Sequence, residues 1–308
     1  MGESNGRNKT NSEYLDIMID IYLIANADDF GLNESITDAI IESHESGFLT
    51  STTLMANMSG CDYAVKKGRE YKELGVGIHF TLTEGKPVSS PNKIPLLLNP
   101  ETGDFIENIR QRKNFLFPNK EMKKQVMIEL EAQLTKLLDL GCTPSHFDSH
   151  HHITGLPVAF SASAEVAKKY GVTKARMTNT SFHFRDNIKL SPYKKLRMNL
   201  PNFPKAYLHK KNKVSLRNQG FLTPDMKILP SLVLPKYEGF IDQFINTLSV
   251  LKKGVTEISF HPGFDNSYPS DSDSFAKVRV NDLKVLTNEE VIQALKNLNI
   301  KMINFRYL

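Results

Sequence analysis

The feature that most constrains this chain is an alternation. Short apolar, β-branched runs recur along it with helix-period segments between them, the pattern of parallel βα units. Candidate strands are Ile21–Ala27, Ser51–Ala56, Val76–Leu82, Ser145–Asp148, Lys174–Met177, Glu257–His261 and Lys301–Phe305. About seven strands in succession predict an α/β fold, a distorted, mostly parallel βα barrel. The clearest helix is predicted from Asn119 to Leu140, where Met122, Val126, Leu130, Leu134 and Leu138 repeat every fourth residue. Asn119 suits its N-cap, and Gly141 suits a left-handed residue after its end. Weaker helical patterns cover Asn33–Ser46, Asp62–Leu74, Pro157–Tyr170, Glu238–Lys253 and Asn288–Leu298.

At 308 residues, one barrel domain can account for 1–308, with 1–20 as an extension. Two proline-rich stretches with few periodic apolar residues, 83–118 and 178–235, break the rhythm and are expected to be rim insertions shaping a cleft. The second concentrates charge. Between Ser181 and Gly220 ten Lys or Arg face one acid, Asp186, whereas the whole chain carries only +5. This basic stretch, 185–217, reads either as a solvated insertion or as attraction for an acidic ligand such as a sugar phosphate.

No nucleic-acid-binding module is recognisable, and no apolar run reaches the roughly 18 residues a membrane span requires. Neither partner is therefore expected, while a homodimer is allowed. Ile17–Ala27 contains Asp20 and runs into Asp28-Asp29, so it reads as a first strand rather than a signal sequence. Cys61 and Cys142 lie far apart, which suggests neither a disulfide framework nor a thiolate metal site and fits a cytoplasmic setting.

The chemistry is expected where polar residues fall at strand ends. Asp28 and Asp29 end the first candidate strand, His79 lies near the end of the third, Asp148 and His150 close the fourth, and His261 closes a late one. In a barrel these residues meet at the carboxyl-end rim. In His146-Phe147-Asp148-Ser149-His150-His151-His152, an extended chain would put His146, Asp148, His150 and His152 on one face. Their spacing of about 7 Å is too wide for all four to hold one ion, so one or two would ligate and the others would lie behind them or face substrate. A metal ion would offset the desolvation of so many ionisable groups. Asp and His ligands without sulfur fit Mg, Mn, Co or Zn.

At these residues the chain resembles the YdjC-like carbohydrate deacetylases, which include the chito-oligosaccharide and diacetylchitobiose deacetylases. The resemblance rests on Ala25-Asn26-Ala27-Asp28-Asp29-Phe30-Gly31, Thr50-Ser51-Thr52-Thr53, Gly77-Ile78-His79-Phe80-Thr81-Leu82, the segment His146 to His152 and His261-Pro262-Gly263, and runs from about Tyr22 to Leu308. It implies a barrel-like fold, a divalent metal (magnesium, with zinc as the alternative) held by Asp29, His79 and His150, Asp28 as general base and His261 as general acid. The implied reaction is hydrolysis of an N-acetylated amino sugar, with phosphorylated forms admitted, releasing acetate in oligosaccharide degradation. Asp148 and His152 are expected behind the metal or against substrate. Arg279 either orients the site through a carboxylate or forms a surface salt bridge. The chain departs from the family at Thr154, where a histidine is common, and at Asp282, where a longer acid is common. The alternatives are another metal-dependent sugar or phosphate ester hydrolase and a non-catalytic sugar-binding protein.

Overall fold

The computed structural model describes residues 20–117, 119–176, 203–228, 239–265, 267 and 276–308. Among them seven strands form one sheet: β1 (Ile21–Phe30), β2 (Ser51–Leu54), β3 (Gly75–Phe80), β4 (Phe147–Ser149), β5 (Met226–Ile228), β6 (Gly254–Phe260) and β7 (Lys301–Met302). The order is β4-β3-β2-β1-β6-β5, with β7 beside the start of β1, and every pairing is parallel. The sheet curls into a half-barrel. Single parallel bridges, Phe147↔Ala175 and Lys174↔Leu222, extend it from β4 toward the segment that leads into β5.

Two sequence expectations change here. The strand expected at Lys174–Met177 is reduced to those bridges, Met177 lying outside the described residues. Met226–Ile228, inside the stretch expected to be a rim insertion, belongs to the sheet and follows a helix at Phe203–Asn218. Three residues centred on Lys227 leave no apolar run for a periodicity argument to find. The extension 1–20 is described only at Asp20. The basic residues from Arg185 to Arg197 also lie outside the described residues. Lys213 and Arg217, on the helix, bond to Asp225 and to Thr223 and Asp225 respectively.

Helix starts follow their caps. The side chains of Asn33, Asn119 and Asn288 accept from the backbone N–H of Ile36, Met122 and Val291 at 2.8, 2.9 and 3.0 Å. The helix Lys120–Asp139 buries the expected Met122, Val126, Leu130 and Leu134, and Gly141 beyond its end is left-handed at φ +74°. The same helix also buries Gln125, Glu129 and Gln133. The Glu129 carboxylate accepts from the N–H groups of Val88 and Ser89 at 2.9 Å each, Gln125 accepts from Leu96 N–H, and Gln133 pairs with both backbone groups of Thr81. A buried carboxylate with two such partners is satisfied, so the helix pins 83–117 across the rim.

Inside the curl the floor is apolar: Ile24, Val255 and Phe305 cluster there. His146 stacks on Phe305 with ring centroids 3.6 Å apart and planes at 10°. The stack depends on Gly77, because a Cβ there would come within 2.5 Å of the His146 ring. Gly77→Ala must therefore overpack the floor, and we expect it to lower the unfolding free energy by about 1–3 kcal/mol in urea titrations; an unchanged midpoint would contradict this packing.

Candidate active site

Above that floor, β1 brings two consecutive carboxylates into one interior, although neighbouring residues of a regular strand point to opposite faces. Its register with β2 slips between Ala27 and Phe30, and Asp29 is left-handed at φ +70°. Such a bulge re-aims side chains at a sheet rim. Asp28 and Asp29 are consequently both buried, and they face different partners.

Asp29 Oδ1 lies 3.2 Å from His150 Nδ1 and 3.6 Å from His79 Nε2. The three residues each offer one ligand atom within 4.8 Å of the others, and Asp29 Oδ1 receives no well-aligned hydrogen bond from the described residues. Each histidine turns its other nitrogen to a carboxylate: His79 Nδ1 to Asp148 Oδ1 at 2.5 Å, His150 Nε2 to Glu84 Oε2 at 2.7 Å. That arrangement fixes ring orientation and tautomer so that the free nitrogens converge, as in metal centres. Arg279 Nη2 donates to Asp29 Oδ2 at 2.9 Å and is itself buried, so the contact is a buried one to a carboxylate and not a surface salt bridge. Burial alone would raise the Asp29 pKa, but the Arg279 charge and His150 hold it well below the usual carboxylate range. Burial likewise opposes a charge on His150, yet Asp29 and Glu84 push its pKa up to about 10, so a cation entering here displaces a proton.

Asp28 faces Arg176. The guanidinium donates from Nη1 to Asp28 Oδ2 at 2.7 Å and from Nη2 to Oδ1 at 2.5 Å, meets Asp148 Oδ2 at 2.5 Å, and donates from Nε to Glu257 Oε1 at 2.5 Å. Burial raises the Asp28 pKa, but Arg176 outweighs it and keeps the carboxyl ionised far below its usual range. His261 follows β6, with Nε2 3.7 Å from Asp28 Oδ2, and its backbone N–H donates to Asp282 Oδ2 at 2.7 Å. Burial lowers the His261 pKa despite the nearby carboxylates, whereas burial pushes the Asp282 carboxyl up to about 7.

Two further groups could hold a metal: Glu84, His150 and His151, and Asp28, His79 and Asp148. In the second, Arg176 already engages both carboxylates. In the first, His151 is exposed and its Nδ1 pairs with Thr83. The set of Asp29, His79 and His150 alone joins burial to an oxygen without an aligned donor.

Asp148 thus lies behind His79. The alternation expected along His146 to His152 ends at Ser149, because β4 stops there and His151 and His152 are left-handed at φ 52° and 54°. His146 stays in the floor against Phe305, and Thr154 closes the turn by hydrogen bonding to Ser149. His152 is half-buried, and the Lys227 charge, burial and Arg176 lower its pKa well below the usual imidazole value. Arg176, Glu84, Glu257 and Lys227 were not identified from the sequence. A charged residue amid an expected strand, as in Lys174-Ala175-Arg176-Met177, was the available signal for the first.

The family model for YdjC-like proteins matches residues 22–297. A carbohydrate deacetylase of Clostridium beijerinckii is 32% identical over 284 residues, covering 92% of this chain and 98% of that protein. One of Thermoanaerobacter pseudethanolicus is 29% identical over 292 residues, covering 93% and 99%. A solved structure from Enterococcus faecalis V583, described as a candidate cellobiose-phosphate cleavage protein, superposes with a TM-score of 0.73 at 24% identity, covering 93% of this chain and 98% of that one. At that identity the likeness is one of fold.

His146 makes the pH dependence of stability testable. Burial pushes its pKa from 6.5 down to about 3, so between those values the unfolded chain binds a proton that the folded chain refuses. Stability is therefore lost as pH falls from about 6.5 toward 3. The unfolding free energy of the wild type minus that of His146→Gln should fall by up to about 1.4 kcal/mol per pH unit in this window; a pH-independent difference would show His146 to be freely protonated in the fold.

Proposed function

The chain belongs to the YdjC-like family, and from that membership we propose that it is a metal-dependent carbohydrate deacetylase that hydrolyses the N-acetyl amide of an amino sugar to acetate and a free amine. The substrate class is that of chito-oligosaccharides, plain or phosphorylated, degraded in the cytoplasm. The observation that carries this reading is the convergence of Asp29 Oδ1, His79 Nε2 and His150 Nδ1 beside an ionised Asp28 and a buried His261.

Asp29, His79 and His150 would hold one divalent cation, leaving positions for water and substrate. When bound, the cation supplies Lewis acidity, acidifying water and polarising the acetyl carbonyl. Two imidazole nitrogens weight this donor set toward zinc, against the magnesium that the family resemblance implies.

Asp28 is the general base. Arg176 keeps it ionised and fixes the carboxylate plane, but the same contact makes it a poor place for a proton to stay. The proton is therefore passed on. His261 Nε2 is 3.7 Å from Asp28 Oδ2, and burial keeps the imidazole neutral enough to accept it. His261 delivers it to the amide nitrogen as the C–N bond breaks, since an amine anion cannot leave unassisted. Asp282, holding the His261 backbone N–H, positions that ring.

Acetate release from a panel of N-acetylated mono- and disaccharides tests the reading, before and after chelation and with each metal added back. Chelation should abolish release and one metal should restore it. Release insensitive to chelation, or hydrolysis of phosphate or ester substrates in place of the amide, would overturn it. Asp28→Asn should lower kcat by about 10²–10⁴-fold with metal content intact, whereas His79→Ala and His150→Ala should lose the metal itself. Glu84→Gln and Asp148→Asn should weaken metal affinity by about 10–100-fold, read by competition with a chromophoric chelator.

A further inference from the structure

Most buried charges around the site are engaged. Arg176 holds Asp28, Asp148 and Glu257, and Arg279 holds Asp29. Lys227 differs. It is only 2% exposed, yet among the described residues its ammonium makes no hydrogen bond or ion pair. It is the register partner of Glu257, so the two share the interior face. It is the middle residue of its strand, one register step from Ile24 of the floor through Glu257, so its side chain rises into the interior from below the Asp28 level. Its charge acts on His152, Arg176, Glu257, Asp28 and Asp148, which places it in the same chamber.

A lysine that is almost wholly buried, with no protein partner for its ammonium among the described residues, breaks a packing rule of the kind that functional sites break, and a ligand that accepts from it would complete it. Resting on the deacetylase reading above, we propose that Lys227 is a specificity-determining residue, donating a hydrogen bond from its buried ammonium to a neutral sugar oxygen, a hydroxyl of the amino sugar undergoing deacetylation. Charge selects a neutral acceptor over an anion. Arg176 and Lys227 bring two positive charges to Asp28, Asp148 and Glu257, so an anionic group would add to carboxylates that already match or outnumber the cations. A hydroxyl uses the donor without adding charge. Burial, which pushes Lys227 down to about 8, raises the cost of leaving that donor unmet.

The test uses Lys227→Met and Lys227→Gln in the full chain, with acetate release from the N-acetylated sugar that the wild type turns over and from its single-position deoxy analogues. Lys227→Met should lower kcat/KM by about 10–100-fold, chiefly through KM, with metal content unchanged and Tm unchanged or raised because an unpaired buried charge is gone. The Gln variant, which keeps a donor, should recover part of the loss. The wild type should discriminate against one deoxy analogue, and Lys227→Met should not. Unchanged kcat/KM in Lys227→Met, equal losses on every analogue with a lowered Tm, or a preference for phosphorylated sugar that vanishes in the variant would each overturn the assignment. A wild type that releases no acetate from any sugar would instead overturn the deacetylase reading, and this inference with it.

Discussion

The interior of this half-barrel is tenable because of one guanidinium. Asp28, Asp148 and Glu257 come from three different strands and are all buried, where uncompensated carboxylates could not remain ionised. Arg176 reaches all three at 2.5 to 2.7 Å. Planar and permanently charged, an arginine can bind one carboxylate through both Nη groups and turn its Nε to another, which a lysine cannot do. The rest of the site inherits its order: Asp28 is held as an anion, Asp148 is held against Arg176 and in turn fixes His79, and the free nitrogen of His79 is aimed at Asp29.

The bulge in β1 divides the labour. A regular strand would have sent one of the two adjacent aspartates outward. With Asp29 left-handed, Asp28 joins the arginine network and Asp29 joins the histidines, two electrostatic environments one peptide apart. Aspartate tolerates that conformation better than most residues, and its cost is carried by the Arg279 contact and by the burial around it.

Much of this was legible in the sequence, for identifiable reasons. Alternating apolar runs specified the parallel α/β sheet, asparagine caps marked helix starts within a residue, and polar residues at strand ends marked the rim, where Asp28, Asp29, His79, Asp148 and His261 do meet. What escaped depended on tertiary contact. β5 is too short to show a period, and Arg176 and Glu257 look like ordinary charges until the sheet curls around them. The face expected for His146 through His152 failed because two left-handed residues break the extended chain, which leaves His146 as a packed floor residue. Glu84 lies in a loop whose path is set by buried polar groups of the helix Lys120–Asp139, a relation without any local sequence mark.

The central claim is that one cation is held by Asp29, His79 and His150 while Asp28 stays outside its ligand set. Anomalous difference density from zinc-loaded crystals, collected above and below the zinc edge, tests it most directly. The account predicts one peak at about 2.0–2.2 Å from Asp29 Oδ1, His79 Nε2 and His150 Nδ1, with Asp28 still paired to Arg176. A peak seated on Glu84, His150 and His151, one seated on Asp28, His79 and Asp148, or no ordered metal at all would contradict it.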